Sequence, residues 1–299
     1  MVDMGIVVGG LWLKNPVIAA SGTFGFGAEY AEIYDPARLG AVCTKGLTLR
    51  PRQGNPPPRL WETACGLLNS IGLQNPGIAA FIREELPRMK EQGITVIANV
   101  WGDVPSEYEQ AVARLSDSSV DAIELNVSCP NVSRGVPLGE DARRTAQVVR
   151  LARRACDRPL WVKLPPEGGV AVARAAQEEG ADAVSAVNTF RGTAIDIETG
   201  RPVFANVVAG LSGPAIKPIA LRIVYELVSV LRIPVVGIGG IGNRQDALEF
   251  IMAGAHAVQV GTANFIDPLS AVQIVAGLED FMNEKGIENW EVIRGSAQR

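Results

Sequence analysis

The sequence predicts a (β/α)8 barrel that forms a single domain over residues 1–299. Three observations carry this expectation. Eight short runs rich in Val, Ile and Ala recur along the 299-residue chain. Each run is almost continuously apolar rather than alternating, as parallel strands covered on both faces require. Helical patterns lie between the runs. A doubly wound open sheet is the runner-up. It would favour fewer strands and an early G-x-G-x-x-G, which the chain lacks.

The runs are PVIAAS (16–21), GAVCTKG (40–46), ITVIANV (94–100), DAIELNVS (121–128), PLWVKL (159–164), DAVSAVNT (182–189), PVVGIGG (234–240) and HAVQVGT (256–262). Helical spacing fits 76–91, 105–116, 143–156, 169–179, 216–231, 244–253 and 268–283. In the third of these, Thr145, Val148, Val149, Ala152 and Cys156 share one face, which gives Cys156 a packing role. The first strand–helix unit is less distinct. The opening IVVGGLWL reads as a small hairpin that plugs the bottom of the barrel. Two intervals are long, after GAVCTKG and after DAVSAVNT. Each has room for an extra loop over the catalytic face.

Composition narrows the function. The charge is 28 minus 32, or −4, with no basic block, which argues against a nucleic-acid surface. The N-terminus has no basic region followed by a long apolar one, and no stretch reads as a membrane span. A cytoplasmic protein is expected. None of the four cysteines, Cys43, Cys65, Cys129 and Cys156, forms a C-x-x-C pair, so no metal or cluster is expected on this chain. The single histidine, His256, precedes an apolar strand and reads as structural.

The ends of the runs carry the chemistry. Ser21, Lys45, Asn99, Asn126, Lys163, Asn188 and Thr189 would converge on one mouth, with Asn69 joining from the first long loop. Carboxamides offer paired donors and acceptors that suit a flat ring with amide edges. Lys45 suits a substrate carboxylate. Lys163 suits negative charge that develops on a cofactor ring. Gly239, Gly240, Gly261 and Thr262 end the last two runs, where barrels often cradle a phosphate on backbone N–H groups. Gly213 precedes another helix, and Asn243 is placed to cap the helix after Gly240. Cys129 sits between carboxamides in NVSCPN, with Pro130 ending the strand. The thiol is either packing or a reagent.

The segments LKNPVIAASGTFG, NSIGLQN, NVSCPN, VKLPP, VNTFRGTAID and GLSGPAIKPIALRIVYE, with GIGGI and QVGTANF, resemble the dihydroorotate dehydrogenase family. They cover most of the chain in family order. The likeness is strongest to the class 1 catalytic subunit of the NAD-linked type, class 1B. The resemblance implies an FMN-bearing barrel that oxidises (S)-dihydroorotate to orotate in pyrimidine synthesis. It implies Cys129 as the base. Lys45, Asn69, Ser70, Ile71, Gly72, Leu73, Asn126, Asn188 and Thr189 would contact the pyrimidine. Ser21, Lys45, Gly46, Asn99, Asn126, Lys163, Val187, Gly213, Gly239, Gly240, Gly261 and Thr262 would contact FMN. A free thiol has a pKa of about 8.5, near enough to neutrality for a base.

The resemblance further implies a homodimer of this chain and a partner subunit carrying FAD and a [2Fe-2S] cluster, together a heterotetramer. The chain departs from the family pattern after NVSCPN. There it reads VSRGVPLGED, with Leu138 where many relatives carry an aromatic residue. That segment would be a lid over the substrate, so the departure bears on lid closure. Other readings keep the fold. They are the same reaction with fumarate as acceptor, a dihydropyrimidine dehydrogenase, a phosphate-ligand isomerase or aldolase, and a non-catalytic flavin-binding module.

Overall fold

A computed structural model describes residues 2–128 and 138–299. Eight parallel strands close into a barrel: Val17–Ala19, Ala41–Cys43, Val96–Val100, Ala122–Asn126, Leu160–Leu164, Ala183–Ala186, Val235–Ile238 and Ala257–Val260. Strand eight closes on strand one with Val258 opposite Val17. All eight apolar runs therefore became barrel strands, and every one is buried along almost its whole length.

Helices cover the barrel outside. Pro105–Ser116, Ala142–Arg154, Gly169–Glu178, Lys217–Val230, Arg244–Met252 and Ser270–Lys285 fall where the spacing predicts them. Thr145, Val148, Val149 and Ala152 form the buried face of Ala142–Arg154, and Cys156 is buried just beyond it. The predicted helix over 76–91 has a composite form. It runs as Ile78–Ala80, widens to a π turn over Phe81–Glu85, and resumes as Leu86–Glu91. Pro87 explains the interruption, because it has no N–H to give the turn before it. The indistinct first unit holds only a short helix, Ala28–Ala31, and a 3-10 turn, Pro36–Arg38.

The N-terminal hairpin pairs Ile6–Val8 with Leu11–Leu13 through Gly9 and Gly10, at φ 49° and 80°. Two positive φ values suit the tight turn that matches strand twist. A Cβ on Gly9 would lie 2.6 Å from the carbonyl oxygen of Asp182, and the nearest atom to one on Gly10 would belong to Pro159. Both neighbours precede barrel strands, so the hairpin closes the bottom. The C-terminal segment joins it there, with Trp290 Nε1 donating to the Met4 carbonyl at 3.0 Å.

The two long intervals hold more than loops. Leu60–Thr63 and Gly66–Asn69 from the first pair with Ala209–Ser212 and Phe190–Gly192 from the second, making one four-stranded antiparallel sheet. That sheet stands over the C-terminal end of the barrel. Thr262, at the end of strand eight, donates its hydroxyl to Ser212 Oγ at 2.8 Å and ties the sheet down.

Candidate functional site

The described strand ends open into a cavity of about 580 Å³. Its lining takes in Ser21, Lys45, Gly46, Asn126, Lys163, Val187, Asn188 and Thr189 from five of the first six strand ends. Gly239, Gly240, Gly261 and Thr262 come from the last two, Gly213 from the second insertion, and Asn69, Ser70, Ile71, Gly72 and Leu73 from the first. Among the sequence-predicted residues within the described chain, only Asn99 stands off this surface. It is fully buried beneath it. Cys129 and most of the VSRGVPLGED segment lie outside the described residues. Leu138 is buried, and its carbonyl accepts the Thr145 hydroxyl at 3.0 Å.

A chain of short bonds fixes the polar groups. Asn188 Nδ2 donates to Asn126 Oδ1 at 3.3 Å, and the same oxygen accepts the Ser128 N–H at 3.1 Å. Ser128 Oγ donates to the Lys163 carbonyl, and the Tyr108 hydroxyl donates to the Asn126 carbonyl. Asn69 Nδ2 donates to the Gly210 carbonyl at 3.1 Å, so the two insertions also meet through a site residue. Asn55 Nδ2 reaches both the hydroxyl and the carbonyl of Ser70.

Lys45 and Lys163 bring positive charge to the strand ends, and Arg191 also lines the cavity. Lys163 is 5 % exposed, and among the described residues no ion pair joins it or Lys45 to a carboxylate. Burial pushes the Lys45 ammonium below the ordinary lysine range, and the Arg59 guanidinium adds to that push. An incoming carboxylate would relieve both effects.

Glycines shape the far side. A Cβ on Gly239 would fall 2.7 Å from Ala220, and one on Gly240 the same distance from Lys217. Their φ values of 127° and 71° exclude most other residues as well. Helix Arg244–Met252 starts just beyond, and Asn243 Oδ1 accepts the Asp246 N–H at 3.0 Å as its cap. Close backbone approach beside a helix N-terminus suits an anionic group.

Sequence reasoning missed three contributors. Asn55 sits in the Pro-rich stretch, with no local mark of its role. Trp101 follows strand three and lines the cavity, under the Arg52 guanidinium at 4.5 Å. Glu124 lies beneath the site inside the barrel, and a charged residue in the middle of DAIEL is the signal that could have found it.

Closed parallel strands, a polar mouth and a glycine cradle define a (β/α)8-barrel protein with its site on the C-terminal face. A family model for dihydroorotate dehydrogenase matches residues 5–282. The chain belongs to the dihydroorotate dehydrogenase family. It is 52% identical over 298 residues, 99% of each chain, to the "Dihydroorotate dehydrogenase B (NAD(+)), catalytic subunit" of Petrotoga mobilis. Proteins of the same name from Thermoanaerobacter pseudethanolicus and Geobacter sp. M21 are 50% and 48% identical, over 98% and 99% of this chain and 98% of each relative.

The family generally binds FMN. The residues here fit such a group. A backbone cradle that a Cβ would fill offers room for its phosphate, and a buried lysine with no carboxylate partner stands ready for an electron-accepting ring. The buried Asn99 Oδ1 has no hydrogen-bond partner among the described residues.

Proposed function

We propose that this protein oxidises (S)-dihydroorotate to orotate in de novo pyrimidine synthesis, as the FMN-bearing catalytic subunit of an NAD-linked, class 1B enzyme. The near-complete match to catalytic subunits of that name carries the reading. The cavity's chemistry supports it. FMN, when bound, supplies a ring that accepts hydride from the substrate. Its phosphate would rest on Gly213, Gly239, Gly240, Gly261 and Thr262, and its ring among Ser21, Lys45, Gly46, Asn99, Asn126, Lys163 and Val187.

This chain's own residues do the rest. Lys45 holds the substrate carboxylate, its charge favoured again once that partner arrives. Asn69, Ser70, Ile71, Gly72 and Leu73 close over the pyrimidine from the insertion sheet. Asn126, Asn188 and Thr189 bond its amide edges, and the Asn188–Asn126 contact sets their orientation. The Cys129 thiolate removes the proton from the carbon beside the ring carbonyl. Lys163 keeps a positive charge at the site where negative charge collects.

The electrons then pass to NAD through a partner subunit carrying FAD and a [2Fe-2S] cluster. The proposed assembly is a cytoplasmic heterotetramer built on a homodimer of this chain. Among the described residues, no helix is long and apolar enough to cross a membrane.

The test is anaerobic. Dihydroorotate should bleach the yellow protein, and dihydrouracil should not. Reoxidation by NAD should require the co-purified partner. Rapid reoxidation of the isolated chain by fumarate would instead assign it the partner-free acceptor. A colourless protein that fails to bind FMN would defeat the reading.

A further inference from the structure

One buried carboxyl stands outside the machinery above. Glu124 is fully buried on strand four, two residues before Asn126. Its Oε1 accepts hydrogen bonds from Asn99 Nδ2 at 2.7 Å and Cys43 Sγ at 3.2 Å. Its Oε2 accepts from Ser185 Oγ at 2.6 Å and Gln259 Nε2 at 2.8 Å. The donors stand on strands three, two, six and eight. One carboxyl therefore gathers five of the barrel's strands through its lumen.

Packing does not call for this arrangement. An apolar side chain of like volume fills a core without the cost of desolvating a carboxyl and four donors. What a carboxyl adds is direction. Each of its two oxygens already accepts from two donors. A carboxamide beside it must offer its nitrogen, and so must turn its oxygen away.

Both amides do so. Asn99 Oδ1 and Gln259 Oε1 are buried and have no partner among the described residues. For Asn99 the direction is visible. A Cβ on Gly46 would lie 3.1 Å from Asn99 Oδ1, and Gly46 lines the cavity. The glycine thus leaves an unpaired acceptor directly behind the cavity wall.

We propose that Glu124 is a positioning residue for the cofactor site. It holds the Asn99 carboxamide so that the carbonyl, not the amino group, faces the space where the flavin ring would lie. An oxidised isoalloxazine edge offers one N–H and several acceptors. A fixed carbonyl selects that N–H, whereas a flipped amide would not. The proposal rests on the FMN reading.

The test uses FMN itself, titrated into the apoprotein and followed by quenching of its fluorescence and by its visible band shape. Glu124→Gln lets the Asn99 amide turn, and should weaken FMN binding about tenfold and alter the band. Asn99→Leu should weaken it by a similar factor. The double variant should bind no worse than the weaker single one, because both changes remove one contact. Cys43→Ala removes the other donor to the same oxygen and touches no amide, so its affinity should stay within about twofold of wild type.

Additive losses in the double variant would overturn the proposal, as would a Cys43→Ala loss equal to that of Glu124→Gln. Both results would make the cluster a packing element. If Glu124→Gln does not fold, Asn99→Leu still decides, since wild-type affinity in that variant removes the contact Glu124 is said to orient. A wild-type protein that leaves FMN fluorescence unquenched sinks the cofactor reading and this proposal with it. A wild type that binds, beside an Asn99→Leu that binds equally well, sinks this proposal alone.

Discussion

The two ends of the barrel treat charged groups in opposite ways. At the bottom, two aspartates are paired. Asp121, just before strand four, accepts from Lys90 Nζ and from the Val96 N–H, both at 2.7 Å. Asp182, just before strand six, accepts from Arg153 at 2.9 Å and from the Leu160 N–H at 2.8 Å. Each aspartate thus satisfies a neighbouring strand's start and an ion pair together. At the top, Lys45 and Lys163 have no carboxylate partner among the described residues, and Asn99 keeps an unmatched oxygen. Buried groups left unmatched lower stability. The two lysines without a carboxylate partner stand together at one end, where a ligand would complete the structure.

If that contrast is right, variants at the top should change chemistry and binding, and variants at the bottom should change stability alone. The largest effect belongs to Cys129→Ala. The variant should hold FMN and melt normally, yet lose roughly 10²–10⁴ in the rate of flavin bleaching by dihydroorotate, the range for a general base. Stopped-flow absorbance reads this directly, and an undiminished rate would assign the base elsewhere.

Lys45→Met comes next. Loss of one charge-assisted bond should weaken orotate binding by roughly 10- to 100-fold, measured by flavin spectral titration. The pH dependence sharpens it. Burial, and then Arg59, lower the Lys45 pKa, so its proton leaves at a lower pH than from a free lysine. Orotate affinity in the native protein should fall as the pH rises toward the alkaline range, and the Met variant should lack that fall.

At the bottom, Asp182→Ala should cost about 2 kcal/mol of stability by stranding the Leu160 N–H and Arg153. Urea unfolding measures it, and FMN affinity should not move. Weaker FMN binding in this variant would break the contrast between the ends.

His256 gives the smallest effect. Burial first, and the Arg294 charge second, push its pKa down from 6.5 to about 4. The folded state therefore holds fewer protons than the unfolded chain between those values. Its contribution is complete above pH 6.5, falls away as the pH drops toward 4, and is flat below. Because the ring is only partly buried, the swing should be about 1 kcal/mol. His256→Gln should flatten that window in a series of pH-dependent melts.

The barrel was legible because its signals are local. Continuous apolar runs and 3.6-residue spacing each need only a dozen neighbouring residues, and all eight strands and the six regular helices follow from them. Asn243 was legible as a cap for the same reason. The insertion sheet was not. Gly66–Asn69 finds its partner in Ala209–Ser212, and nothing near either stretch announces the other. Glu124 was passed over because a strand reading weighs the run as a whole. A carboxyl flanked by Ile123 and Leu125 looks like an interruption until its four donors arrive from other strands. Asn99 was read as a site residue from its place at a strand end, and its depth below the cavity depends on that hub.

The shared sheet over the mouth has a consequence for engineering. Its two halves come from loops on opposite sides of the chain's midpoint, and Asn69 is held by the backbone of Gly210. Specificity here is not a single graftable loop. Anyone who transplants the first segment into a relative must bring the second along, or the imported pieces will have no edge to lie against.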